Sequence, residues 1–523
     1  MIRTDRRTLL TGATAAAALA ATSAHAQSRP VARTEHGRVR GLTNAGVHVF
    51  KGVRYGADTR PMRFRPPQRP RRWSGVRDAI EYGASCPQRS EQPRTSEDCL
   101  FLNVWTPALR DRSARPVLVY FHGGAYSNGS GSSPLYDGSN LCRRGDVVVV
   151  TVNHRLNVFG YGYFNLLGAP EAWADSGNAG QLDLILALEW VRDNIAEFGG
   201  DPSNVTVFGQ SGGGAKIATL MAMPAAAGLF HRGWTMSGQQ VTASGPQNAT
   251  LRARAFMDAL GVAHDNVAAL AELPAERLVE ALSADDPVLP RGGVYFGPTL
   301  DMRSLTRHPF YPDAAPQSRH IPMVLGNTHD ETRAFLREDR YQTLSWDELP
   351  EAIAPQLVVD IEPNYVVARY RELFPDMTPT QVFFAATTAG RSWRGQVIEA
   401  DERAEANTPT WVYQFDWQSP VDDGRWGAPH GIDIPMVFDN TATPGAITGN
   451  GEDARVLAAA MASSLIAFAR TGDPNNNAVP AWPRYELETR ATMMFDTPTR
   501  IENDPRGDER RLFDAVPYVQ PGT

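Results

Sequence analysis

The stretch "VTVFGQSGGGAKIATLMAMP" (residues 205–224) decides how this chain folds. Residues 205–208 are β-branched and aromatic, of strand type. A helix-type run follows the glycines and stops at Pro224. Between the two, glycines at 209, 212, 213 and 214 surround one serine, Ser211. A strand that reverses into a helix within a few residues forces the residue at the corner into a strained backbone conformation. Side chains two positions away on either side would collide, so glycine is required there. Gly209-Gln210-Ser211-Gly212-Gly213 fits the G-x-S-x-G nucleophile elbow and has the strand before and helix after that the motif needs. Such a corner lifts the serine hydroxyl clear of the sheet, and the following helix points its positive end and free N–H groups at the same spot. The competing reading is a phosphate-binding loop. It would want Lys followed by Ser or Thr, and Lys216 is followed by Ile217.

Working outward, "PVLVYF" (residues 116–121) and "VVVVTVN" (residues 147–153) are continuous and β-branched. They read as strands buried on both faces, as in a parallel sheet. "AGQLDLILALEWVRDNIAEFGG" (residues 179–200) reads as a helix whose apolar residues nearly encircle it. Later strands are expected at residues 321–326 and 410–415, helical structure over 248–289, and a helix over 454–470 ended by Gly472 and Pro474. The alternation gives an α/β fold class, a mostly parallel sheet with helices on both faces.

A charged content of 21% with a net charge of −7 is a soluble, globular balance that argues against a nucleic-acid partner. The arginine-rich run at residues 60–75 is broken by prolines and reads as a solvated loop. Arg6 and Arg7 precede an alanine-rich run and the small-x-small site Ala24-His25-Ala26. Residues 1–26 therefore read as a twin-arginine-type signal peptide, and residues 27–523 as one domain, periplasmic or secreted. No later apolar run approaches the length of a stable membrane span. Export permits a disulfide. Cys86 and Cys99 lie close in sequence, while Cys142 stands apart and reads as a buried small hydrophobe.

"YFHGGAYSNG" (residues 120–129) follows a buried strand, as does the glycine-rich loop that supplies oxyanion N–H groups in esterases and lipases. Together with the elbow it identifies a resemblance. The chain resembles the type-B carboxylesterase/lipase family, which also contains the cholinesterases. "FGGDPSNVTVFGQSGG" (residues 198–213) is similar to the family's serine signature, and "EDCLFLNVWTP" (residues 97–107) to its second signature. "NHRLNVFGY" (residues 153–161), residues 177–200 and "FARTGDPN" (residues 468–475) also resemble family blocks.

The resemblance implies an α/β-hydrolase fold and a triad in the order serine, acid, histidine. The acid is expected in "LGNTHDETRAFL" (residues 325–336), at Glu331, with Asp330 as the neighbouring alternative. Thr332 stands where the family has glycine. The histidine is expected in "GAPHGIDIPMVF" (residues 427–438), at His430, with Asp433 where the family has an acid. The resemblance further implies oxyanion donors at Gly124, Ala125 and Gly212, with Gly123 shaping the loop. It implies a Cys86–Cys99 disulfide and the ion pairs Arg63–Glu97 and Arg155–Asp183.

The expected activity is hydrolysis of a small-molecule carboxylic ester through an acyl-enzyme, with no cofactor and no metal. The same triad could serve an amidase or peptidase, and some relatives keep the fold as non-catalytic binding proteins. Ser211 and His430 are both present here. Gln210 replaces the elbow glutamate of many family members, and no aromatic residue lies between Cys86 and Cys99. Both features point away from a choline ester and toward a neutral one. Trp417 and Trp426 lie near the histidine in sequence and are candidates for lining a pocket or packing in the core.

Overall fold

The structure, a computed structural model, describes residues 29–289 and 292–523. The expected signal peptide lies outside the described residues. The strands are β1 (Val31–Thr34), β2 (Gly37–Arg40), β3 (Leu42–Asn44), β4 (Val47–Arg54), β5 (Val76–Asp78), β6 (Phe101–Thr106) and β7 (Arg115–Phe121). They continue as β8 (Val148–Val152), β9 (Gly200–Gln210), β10 (Arg232–Met236), β11 (Met323–Thr328), β12 (Thr410–Phe415), β13 (Ala491–Phe495) and β14 (Arg500–Asn503). A small sheet has the order β1-β2-β5. The large sheet has 11 strands in the order β14-β13-β12-β11-β10-β9-β7-β8-β6-β4-β3. From β8 across to β13 every pairing is parallel, and the flanking strands are antiparallel.

The central strands behave as their composition demands. On β7, Val117, Val119 and Phe121 enter one apolar core while Leu118 and Tyr120 enter the other. Alternate residues thus feed two cores, one on each face, which is why the strand reads as a continuous apolar run. The expected strand at 410–415 is β12. That at 321–326 begins later, at Met323, and runs to Thr328.

The long helix over Ala179–Asn194 is buried on most of its circumference and passes through a short 3-10 turn before Gly199 ends it in the left-handed region. The last long helix, Glu452–Thr471, is capped by Gly472. It is long and apolar enough to cross a membrane, but most of its apolar residues, from Leu457 to Ala469, pack into the second core, and Val456 is exposed. The expected helical stretch over 248–289 is broken into Pro246–Leu260, Val267–Ala271 and Ala275–Ala281. Gly261 at φ 68° stops the first piece, and Pro274 precedes the last.

Both expected ion pairs form in the interior. Arg63 Nε donates to Glu97 at 2.8 Å, and Arg155 Nη2 to Asp183 at 2.6 Å. Arg63 is therefore buried, unlike the exposed Arg71 and Arg72 of the same arginine-rich run. The expected Cys86–Cys99 disulfide is not formed. Cys86, Cys99 and Cys142 are all free and buried. The Cys99 thiol hydrogen-bonds to Cys86, and that contact together with burial pushes its pKa well up. Cys86 Sγ in turn accepts the Leu156 N–H at 3.2 Å.

Candidate active site

The C-terminal ends of four parallel strands converge on one cleft. Strand β9 ends at Gln210 and turns at Ser211 into the helix Gly212–Met221. Ser211 takes φ 56°, ψ −127°, a conformation that non-glycine residues rarely adopt. Two backbone bonds hold it there. Its N–H donates to Met236 O at 2.7 Å, and its carbonyl accepts from Ala215 N–H at 3.1 Å. The corner leaves no room for side chains. A Cβ on Gly213 would stand 1.9 Å from Phe121 O, and one on Gly209 would stand 2.6 Å from the Gly213 carbonyl carbon.

Phe121 is paired with Gly209 across β7 and β9, so the loop leaving β7 lies beside the elbow. In that loop Gly124 and Ala125 both take positive φ, 83° and 53°. The Gly124 carbonyl turns back to accept from Ser127 and Asn128 N–H. Among the described residues the Gly124 and Ala125 N–H groups have no protein acceptor. Gly212 supplies a third N–H at the start of the helix.

Strand β11 ends at Thr328 and leads to Glu331. Strand β12 ends at Phe415, opposite Thr328, and the chain returns to the cleft at His430. Glu331 Oε2 and His430 Nδ1 are hydrogen-bonded. Glu331 is fully buried, and its other oxygen accepts from Asn327 Nδ2 at 3.0 Å and Thr328 N–H at 2.8 Å. Burial raises its pKa, but the charge and hydrogen bond of His430, with the Thr328 N–H, outweigh burial and hold the carboxyl below its ordinary value. His430 keeps 13% of its side chain exposed, so the imidazole reaches the cleft while its acid is sealed off.

Asp330, the alternative acid, faces elsewhere. Its carboxylate meets His329 at 3.2 Å and accepts the Ala428 N–H at 3.0 Å. Its own N–H donates to Ala428 O at 2.9 Å. Asp330 thus fastens the histidine loop, and Glu331 touches the histidine. Asp433 is buried below the loop, where the Tyr413 hydroxyl donates to it at 2.8 Å and burial raises it to about 6.

The cleft takes its aromatic side chains from residues that no sequence motif marks as pocket lining. Its aromatic lining is Tyr126, Tyr295 and Phe335 rather than Trp417 or Trp426. Trp417 packs against the second core, and Trp426 is half-buried and donates to Asp422 at 2.7 Å. The Phe335 ring lies 4.8 Å from that of His430. Gln520 and Pro521 close one side of the cleft. Gln520 is anchored by the Val241 N–H at 2.8 Å, a contact across 279 residues with no local signal. The partner of His430 Nε2 is the Gln210 side-chain amide at 3.1 Å, not Ser211 Oγ.

Residues 28–513 match the family described as the carboxylesterase family. The chain is 36% identical over 508 residues to the para-nitrobenzyl esterase of Bacillus subtilis, covering 92% of this chain and 98% of that protein. It is 32% identical over 503 residues to the fumonisin B1 esterase of Sphingopyxis macrogoltabida, covering 92% of this chain and 88% of that protein. Among solved structures, the carboxylesterase EST55 of Geobacillus stearothermophilus at pH 6.2 superposes with a TM-score of 0.82 at 38% identity. It covers 92% of this chain and 99% of its own. These likenesses run through both halves of the sheet and through the elbow itself, so the chain belongs to the carboxylesterase family and is a hydrolase of carboxylic esters.

Proposed function

We propose that Ser211 is the nucleophile, His430 the general base and Glu331 the residue that orients and charges the imidazole. His430 takes the Ser211 proton as Oγ attacks the ester carbonyl, and the Gly124, Ala125 and Gly212 N–H groups receive the oxyanion. His430 then gives the proton to the leaving alkoxide. Water, deprotonated by the same ring, releases the acid from the acyl-serine. The observation that carries this reading is the Glu331–His430 hydrogen bond, at a cleft that Ser211 lines in a strained, positive-φ conformation.

The substrate we infer is a small neutral ester with an aromatic alcohol. Tyr126, Tyr295 and Phe335 in the cleft support it, as does the likeness to an enzyme named for para-nitrobenzyl esters. The twin arginine Arg6-Arg7 and the Ala24-His25-Ala26 site support export of the folded chain to the periplasm or beyond.

The test is covalent labelling with a fluorophosphonate and mapping of the modified residue, followed by kinetics of Ser211→Ala. The label is expected on Ser211, and kcat in the variant is expected to fall by about six orders of magnitude, as when other triads lose their serine. A label on another residue, or activity within about tenfold of the parent, would overturn the assignment. p-Nitrophenyl esters are expected to turn over far faster than anilides with the same acyl group.

A further inference from the structure

Lys216 lies wholly inside the protein, on the helix that Ser211 opens. Its Nζ donates to two backbone carbonyls, Ala125 at 2.7 Å and His122 at 3.1 Å, and stands 5.4 Å from the centroid of the Tyr126 ring. Among the described residues no carboxylate forms a salt bridge with it. A buried ammonium without a counter-ion is unfavourable, and a methionine or leucine could occupy similar volume without that penalty. The two carbonyls it binds bracket Gly123 and Gly124, the turn that leaves the Gly124 and Ala125 N–H groups unpaired at the cleft. Ala125 holds its φ of 53° without glycine's freedom, and the Lys216 bond falls on that same residue.

We propose that Lys216 is a positioning residue for ester cleavage, its Nζ clamping the glycine loop to the nucleophile helix so that the Gly124 and Ala125 N–H groups stay aimed at the oxyanion. The proposal rests on the reading of that loop as the oxyanion cradle. A charged donor binds a carbonyl about twice as strongly as a neutral one, so the clamp is firm while Lys216 keeps its proton. The same charge adds positive potential behind the site where negative charge develops.

Burial lowers the Lys216 ammonium to about 7. The groups around it do not titrate near that value. Burial, then the charge of Lys216, pushes the His122 imidazole down to about 3. His154, stacked on His122 with centroids 4.8 Å apart, is pushed down as well, and burial pushes the Tyr126 hydroxyl far up. The Gln181 amide, which donates to the Lys216 backbone carbonyl at 3.2 Å, is neutral. Lys216 is therefore the member of this cluster that changes charge in the neutral range. Loss of its proton loosens the loop, so kcat declines on the alkaline side.

The test uses the purified full chain and p-nitrophenyl acetate, followed in a pH-stat from roughly pH 5 to roughly pH 10, with kcat normalised to the serine titrated by a fluorophosphonate. Wild type is expected to lose about tenfold in kcat on the alkaline side. Lys216→Met is expected to lower kcat about 30-fold at neutral pH, with KM within about threefold, and to be flat above neutrality. Lys216→Gln keeps an amide donor without the charge. It is expected to recover part of kcat and to be equally flat. A wild-type profile flat above neutrality, a Lys216→Met kcat within about threefold of wild type, or an alkaline decline that persists in Lys216→Met would each overturn the clamp. If neither variant yields titratable protein, the wild-type profile decides alone. Wild type that the fluorophosphonate does not label would overturn the Ser211 assignment instead, so the two failures are distinguishable.

Discussion

His430 has both ring nitrogens engaged. Glu331 accepts from Nδ1, so that nitrogen carries the proton, and Nε2 is left as an acceptor for the Gln210 amide at 3.1 Å. In the proposed mechanism this is the lone pair that receives the Ser211 proton, so the Gln210 amide has to yield as substrate arrives. Replacing it with glutamate would set a second carboxylate against the ring and favour imidazolium. In Gln210→Glu the acid limb of kcat/KM is expected to move up by about one to two pH units, read from a pH–rate profile. An unmoved limb would show that residue 210 does not face the imidazole in the working enzyme. Ser211 was legible in sequence because it sits in a motif whose spacing has a mechanical reason, whereas His430, in a loop with no such spacing, was reached only through the family resemblance. The choice between Asp330 and Glu331 was not, since adjacent side chains leave the backbone in different directions and only their distant partners, His329 and Ala428 for one and His430 for the other, separate them. Lys216 was hidden as a site residue. A lysine on a helix ordinarily reads as solvent-facing, and the carbonyls that hold this one lie more than 90 residues away.

Among the elements, the elbow is the least forgiving. Phe121 O, which a Cβ on Gly213 would strike, belongs to β7, and β7 is locked between β8 and β9. The strand cannot retreat, so the helix Gly212–Met221 must tilt away and carry the Gly212 N–H with it. Gly213→Ala is expected to destabilise the fold by about 1–3 kcal/mol and to lower kcat per titrated serine about a hundredfold, since a displacement of about 1 Å at the reacting centre has that effect. Thermal denaturation and active-site titration measure the two losses, and a variant normal in both would mean the corner has slack. The central strands were readable because burial on both faces demands unbroken β-branched runs. Strands β13 and β14 carry no such signature: "ATMMF" is short and rich in methionine, and β14 is only partly buried apart from exposed Asn503. The helical stretch after β10 was recognised by its amphipathic pattern, but its breaks depend on local backbone geometry at Gly261 and Pro274.

Across the whole molecule, buried titratable groups set how stability responds to pH, and they work in opposition. The His122 and His154 Nδ1–H groups each donate to the next residue's carbonyl, Gly123 O and Arg155 O, at 2.8 Å, and burial keeps both rings neutral. In the unfolded chain they protonate near about 6.5. Below that value the unfolded chain binds protons that the folded chain does not, so their contribution is complete above about 6.5 and lost as pH falls toward the folded value. Between pH 6.5 and pH 5 that is about 2 kcal/mol for His122, and His154 acts in the same direction. Glu399 runs the other way. It accepts the Gln240 N–H at 2.6 Å, and burial raises its carboxyl to about 8. The folded chain therefore holds a proton that the unfolded chain releases near its ordinary carboxylate value, and this contribution is lost as pH rises from there through about 8. Between pH 5 and pH 7 it amounts to about 2–3 kcal/mol. Each side masks the other in the wild-type curve, so variants must expose them. His154→Asn, which keeps a donor for Arg155 O, is expected to tilt stability toward acid between pH 7 and pH 5, measured by urea unfolding at both values. Glu399→Gln is expected to tilt it toward alkali by about 2–3 kcal/mol over the same span. If both variants kept the wild-type slope, the interior would not be holding these groups in the protonation states that its dryness demands.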